Sequence, residues 1–145
     1  MAFKRGDKLI KPRILYVEDH DDTRDLLIFV LEARNYEVTS SPTVAHALQL
    51  ARQQNFDLFL LDSRLPDGSG VDLCLGIRQF DAHTPIIFFS AAAYEADRIS
   101  ALGAGAQGYL TKPARLSDLG DLVSSLIDAA PPKKSRTRPI EQLPN

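Results

Sequence analysis

Four apolar runs in this chain break off at side chains that can do chemistry. Ile14-Leu15-Tyr16-Val17 ends in Glu18-Asp19, and Leu58-Phe59-Leu60-Leu61 ends in Asp62. Ile86-Ile87-Phe88-Phe89 ends in Ser90, and the brief run Gln107 to Leu110 is followed at once by Thr111-Lys112-Pro113. If each run is a strand of one parallel sheet, these ends are neighbours at the carboxyl edge, where open α/β sheets bind ligands. A single aspartate after a strand serves equally well as a helix cap or turn former. Four polar ends arriving together are not accounted for that way. Glu18, Asp19 and Asp62 would repel one another when ionised, and a divalent cation relieves the repulsion. Oxygen ligands with waters completing an octahedron suit Mg²⁺, with Mn²⁺ as the alternative. A lone lysine and a hydroxyl beside a metal-bound carboxylate describe phosphoryl transfer. Asp62 is then the nucleophile that forms an acyl phosphate, and Lys112 neutralises charge on the transferring oxygens while Ser90 hydrogen-bonds one of them.

The elements that must position these residues alternate along the chain. Short apolar runs bounded by turn residues suit strands buried on both faces. After the first strand, Asp21 or Asp22 caps a helix. At 100° per residue Thr23, Leu26, Leu27, Val30, Leu31 and Arg34 fall on its core side. Ile28 and Phe29 lie roughly 125° to 135° from the middle of that stripe, which makes them two adjacent large apolar residues facing water and a candidate interface. Tyr36 to Ser40 reads as a short strand, and Ser41-Pro42 opens a helix carrying Val44, Ala45, Leu48 and Ala51. The strand ending at Asp62 follows, then a turn-rich loop from Ser63, then a helix from about Gly70 to Gln79. Ala91 to Ala104 reads as a helix closed by Gly105, and Arg115 to Ala129 as the last amphipathic helix. Five strands alternating with five helices imply a doubly wound parallel α/β sheet, a three-layer sandwich.

At 145 residues the chain suffices for one domain with its own core. We divide it into a flexible lead over 1–11, a folded domain over 12–129, and a tail over 130–145. The tail holds four prolines with Lys133, Lys134, Arg136 and Arg138 in a stretch poor in large apolar residues, a composition that favours disorder. A formal charge of -2 argues against wholesale nucleic-acid or membrane binding. With one cysteine, Cys74, and no apolar leader, the expected compartment is the cytoplasm.

The segments ILYVEDH, DLFLLDSRLPDGSG, IIFFSA and ALGAGAQGYLTKP, in this order and spacing, together resemble the receiver domain of two-component response regulators, the CheY-like family. The resemblance covers about residues 12 to 129. It implies a flavodoxin-like fold with strand order 2-1-3-4-5. Asp62 is by resemblance the phosphoacceptor, Asp19 a direct metal ligand, Glu18 a ligand through water, and the main-chain carbonyl of Arg64 a further metal contact. Lys112 becomes the phosphate-binding lysine, joined to Pro113 by a cis peptide. Ser90 and Tyr109 stand at the switch positions, where a hydroxyl is drawn to the phosphate and a ring moves inward. Two positions depart from the family's habit: Arg64 two residues after Asp62, and Ala92 two after Ser90, where polar or acidic side chains are common.

The resemblance also names partners. A sensor histidine kinase or histidine phosphotransfer protein supplies the phosphoryl group, docking on the first helix, where Ile28 and Phe29 lie. A downstream protein, or a second copy, reads the fourth helix, fifth strand and fifth helix. Such a module catalyses only its own phosphorylation and hydrolysis and is not a metabolic enzyme. A haloacid-dehalogenase-type phosphatase also places a nucleophilic aspartate after an apolar strand, but wants an acid where Arg64 stands. A nucleotide-binding protein needs a glycine-rich loop where Glu18-Asp19-His20-Asp21 stands. A receiver-shaped scaffold that is never phosphorylated would not need Glu18, Asp19, Asp62 and Lys112 together. No output domain fits outside 12–129, so the chain is expected to act alone by protein contact or relay, or to be the receiver of a longer protein.

Overall fold

A computed structural model describes residues 10–130. Apart from residues 10, 11 and 130, the lead and tail expected over 1–11 and 130–145 lie outside the described residues. The elements run β1 (Arg13–Val17), α1 (Asp21–Ala33), β2 (Glu37–Ser41), α2 (Val44–Gln53), β3 (Leu58–Leu61), β4 (Arg64–Leu65), β5 (Gly68–Ser69), α3 (Gly70–Arg78), β6 (Ile86–Ser90), α4 (Glu95–Gly103), β7 (Gly108–Thr111) and α5 (Leu116–Ala129). Five strands form a parallel sheet in the order β2-β1-β3-β6-β7, while β4 and β5 make a separate two-residue hairpin. Setting the hairpin aside, this is the flavodoxin-like order 2-1-3-4-5.

The two faces of the sheet are separated by the period-2 alternation of the strands. Leu15, Val17, Phe59, Leu61, Ile86 and Phe88 face one core with Ala47 and Ala51 of α2, Leu73, Cys74 and Ile77 of α3, and Ala101 of α4. Ile14, Tyr16, Leu58, Leu60, Ile87 and Phe89 face the other, with Leu27 and Leu31 of α1 and Leu119 and Val123 of α5. Three layers result, and strands β1, β3 and β6 are buried on both sides. Among the described residues no helix is long and apolar enough to cross a membrane.

Several boundaries differ from the sequence expectation. Helix α4 starts at Glu95 rather than Ala91 because the Asp97 carboxylate accepts the Tyr94 N–H (3.2 Å) and the Ser90 hydroxyl accepts that of Ala92 (3.0 Å). Those side-chain acceptors hold Ala91 to Tyr94 as a loop despite their helix-favouring composition. Helix α2 starts after Thr43, whose hydroxyl accepts the His46 N–H at 3.1 Å. Strand β2 runs Glu37–Ser41, one residue later than expected.

The face of α1 also needs correction. Its buried line runs through Leu27 and Leu31, with Ile28 packed against the same core, while Leu26 and Phe29 are 54% and 72% exposed. Relative to the stripe read from the sequence, the helix is turned by roughly 50° about its axis. In this orientation α1 docks against α5, where the Arg34 guanidinium lies across Gly120 and pairs with Asp121 at 3.2 Å. Ile28 is therefore a half-buried core residue and not an exposed one.

Candidate functional site

Strand register brings the polar ends together. Val17 is level with Leu61, Leu61 with Phe88, and Ser90 with Thr111. Hydrogen bonding continues one residue past the strands: Glu18 N–H donates to Ser41 (3.0 Å), Asp62 N–H to Val17 (3.1 Å) and Lys112 N–H to Ser90 (2.8 Å). The backbone beneath Glu18, Asp62 and Lys112 is thus fixed by the sheet. Gly70 anchors the far side, since a Cβ there would lie 2.2 Å from the Asp62 carbonyl oxygen and 2.7 Å from the Phe88 ring. Only glycine lets the start of α3 approach the strand end so closely.

Ligand-capable atoms of Glu18, Asp19, His20 and Asp62 lie within 4.8 Å of one another. Lys112 Nζ reaches in from β7, 2.8 Å from Glu18 Oε1 and 3.5 Å from Asp62 Oδ2. Glu18 has no exposed surface and is the most heavily bonded of the acids. It accepts from Lys112, from the Tyr16 hydroxyl (3.2 Å) and from the His20 backbone N–H (3.3 Å), with His20 Nδ1 at 3.1 Å. Burial alone would raise its pKa, but the hydrogen bond and charge of Lys112 and the bonds from His20 outweigh that and hold the carboxyl below its ordinary value. Asp62 goes the other way. Burial, then the charge of Glu18, raise its pKa against the opposing pull of Lys112 and the Ser63 N–H, which donates to Oδ1 at 2.6 Å. Burial and Glu18 likewise raise the Tyr16 hydroxyl far above its usual range, so it remains a donor.

Asp19 provides the test of whether a cation fits. Its Oδ1 is shut off from solvent yet accepts no hydrogen bond, alone in this among buried side-chain oxygens and nitrogens of the described residues. His20 Nδ1 stands 3.4 Å from it without donating to it. A buried carboxylate oxygen without a donor is costly unless something positive completes it. The oxygen-rich donor set therefore fits a divalent ion. The placement of the Arg64 carbonyl depends on the hairpin. Gly70 N–H donates to Ser63 (2.9 Å), which makes Arg64 and Ser69 a non-hydrogen-bonded pair and leaves the Arg64 carbonyl out of the ladder. The Arg64 side chain is exposed.

The remaining candidates lie close by. Ser90 is buried, and its Oγ accepts the Ala92 N–H. Tyr109 stacks on Phe88 with ring centroids 5.8 Å apart, and its hydroxyl donates to the Ala92 carbonyl at 2.6 Å. The Lys112–Pro113 peptide bond is cis. His20, Asp62, Arg64, Ser90 and the loop 91–94 line a cleft of about 620 Å³. Ile28 and Phe29 lie on α1, away from this cluster, and only Phe29 presents its side chain to solvent.

Two participants have no place in the sequence-based assignment. Tyr16 stands two residues before Glu18 on one strand, so the same face was implied by the β period. His20 carried a weaker signal, its position directly after the acidic pair. Outside the cluster, Asp67 reaches from the hairpin to cap α2, accepting Val44 N–H at 2.7 Å and Ala45 N–H at 3.0 Å.

Comparison with known proteins agrees with this geometry. The family model for the response regulator receiver domain matches residues 14–124. The response regulator protein PilR of Pseudomonas aeruginosa is 38% identical over 117 residues, which cover 81% of this chain and 26% of PilR. The chain spans a quarter to a half of the length of the curated relatives it matches. The non-phosphorylated HemR receiver domain from Leptospira biflexa is 35% identical with a TM-score of 0.79, covering 85% of this chain and 99% of that one. The receiver domain of the sensor histidine kinase PA1611 from Pseudomonas aeruginosa PAO1, solved with a magnesium ion coordinated in its active-site cleft, is 30% identical with a TM-score of 0.77, covering 83% and 100%. The chain belongs to the response regulator receiver domain family of two-component systems.

Proposed function

We propose that Asp62 accepts a phosphoryl group from a phosphohistidine on a sensor histidine kinase or histidine phosphotransfer protein. In this reading Asp19, Asp62 and the Arg64 carbonyl hold Mg²⁺, or Mn²⁺, with Glu18 acting through water. One juxtaposition carries it: the carboxylates gather within 4.8 Å with the Lys112 ammonium 3.5 Å from Asp62 Oδ2, beside an open cleft. When bound, the ion offsets negative charge on the transferring oxygens. The chain's own groups do the rest. The Ser63 N–H orients the carboxylate before a donor arrives. An Asp62 oxygen attacks phosphorus as the P–N bond to the donor imidazole breaks, and the departing imidazole takes up a proton. Lys112 places a positive charge next to the phosphoryl oxygens.

Ala92 links this chemistry to the surface. Its N–H is held by Ser90 and its carbonyl by Tyr109. A phosphoryl oxygen that draws the Ser90 hydroxyl toward itself removes the first of these bonds and loosens the second. The phosphorylated site thereby favours a different arrangement of α4, β7 and α5, where a downstream protein or a second copy would read it. Incubating wild type and Asp62→Asn with acetyl phosphate, in Mg²⁺ and in EDTA, tests the reading by intact mass. A gain of one phosphate only in wild type with Mg²⁺ is expected. A gain in Asp62→Asn, or one indifferent to EDTA, would overturn it.

A further inference from the structure

The imidazole of His20 stands among the carboxylates without a role in the function proposed above. Its Nδ1 lies 3.1 Å from Glu18 Oε2 and 3.4 Å from Asp19 Oδ1, and the ring lines the same cleft as Asp62. The side chain is 75% exposed, so it can adjust around an ion without disturbing the core. Asp19 Oδ1, the oxygen it approaches, is the buried atom with no hydrogen-bond partner. We infer that His20 Nδ1 is an additional ligand of the ion site, and that it shifts the site's preference from Mg²⁺ toward divalent ions that accept imidazole, such as Co²⁺ and Zn²⁺. The inference rests on reading Asp19 and Asp62 as ion ligands.

The chemistry follows from the ligand set. Mg²⁺ takes oxygen and water and gains little from nitrogen, whereas the later first-row ions bind imidazole strongly. A site of carboxylates alone ranks these ions mainly by their general affinity order. Adding one imidazole changes the ranking in a way that a single substitution can reverse. Ligation uses the Nδ1 lone pair, so the contact between Nδ1 and Glu18 gives way as the ion arrives. Glu18 keeps Lys112, Tyr16 and the His20 backbone N–H when that happens.

Isothermal titration of untagged full-length protein with Mg²⁺ alone and with Co²⁺ alone, for wild type, His20→Ala, His20→Gln and Asp19→Asn, tests this. His20 makes no side-chain cap to α1, so both His20 variants are expected to fold. They should lose at least tenfold in Co²⁺ affinity while Mg²⁺ affinity changes less than threefold, and the visible Co²⁺ spectrum should move with the loss of nitrogen. Equal effects on both ions, or none on Co²⁺, would overturn the inference and leave the ion site standing. Binding of either ion unaffected by Asp19→Asn would remove the site itself, and the inference with it.

Discussion

Replacing Lys112 with methionine strips a buried carboxylate of its strongest partner while retaining most of the side-chain stem. Glu18 has no exposed surface, and the ammonium sits 2.8 Å from its Oε1. Removing one partner of a buried pair costs about 3 to 5 kcal/mol. Glu18 keeps the Tyr16 hydroxyl and two contacts from His20, each a hydrogen bond to a charged group, so the lower end applies, about 3 kcal/mol. For a domain of this size that corresponds to a fall in Tm of roughly 10 °C. The pH dependence has a definite sign. Lys112 holds Glu18 below its ordinary pKa, so this stabilisation is full above the unfolded value and is lost as pH falls through the folded one. The gap between wild type and Lys112→Met should therefore be widest near neutrality and close in acid. Urea and thermal unfolding in EDTA read both quantities. Adding Glu18→Gln to Lys112→Met removes the stranded charge and should recover about 2 kcal/mol. A loss below about 1 kcal/mol in the single variant, against the about 3 kcal/mol expected of a buried pair, or no recovery in the double, would refute the reasoning.

Gly70→Ala should destabilise the protein by about 2 kcal/mol through overpacking and depress phosphorylation of Asp62, because the added carbon meets the Asp62 carbonyl at 2.2 Å; unfolding and labelling measured on the same preparation check it. The Asp67 carboxyl is held below its ordinary pKa by the Ala45 and Val44 N–H groups, so its contribution is present above the unfolded value and disappears as pH falls through the folded one. Asp67→Ala should lack that component of the acid limb, and superimposable limbs would count against the cap. Phe29→Ser should leave stability within about 0.5 kcal/mol and slow phosphotransfer from the cognate donor, whereas Ile28→Ser should cost about 1 kcal/mol in stability. Normal transfer rates in Phe29→Ser would exclude Phe29 from donor docking.

How much of this was legible depends on whether the cause is local. Apolar runs ending in Glu18-Asp19, Asp62, Ser90 and Lys112 announce strands and their carboxyl ends directly, because burial on both faces leaves its mark on consecutive residues. The convergence of those ends follows from parallel pairing and needs no further information. The rotation of α1 was not legible, since its apolar positions are spread widely enough to allow either face. Tertiary packing chooses Ile28, which lies against the core shared with Leu119 and Val123 of α5, over Leu26, which stays exposed. The start of α4 was missed because Ala91-Ala92-Ala93 favours helix on its own, and the restraint comes from Ser90 and Asp97. Asp67 looked like a turn residue, and its capping of α2 spans 22 and 23 residues of sequence. His20 owes its place to the loop between β1 and α1, which periodicity does not describe.

The central claim concerns one atom group, the carboxylate at the end of β3. Treating acetyl-phosphate-labelled protein with borohydride reduces an acyl phosphate to an alcohol, and peptide mass mapping then locates the altered residue. Reduction of Asp62 to homoserine, dependent on Mg²⁺ and absent in Asp62→Asn, is the predicted result. A reduced residue elsewhere in the chain, or labelling that resists borohydride altogether, would contradict it.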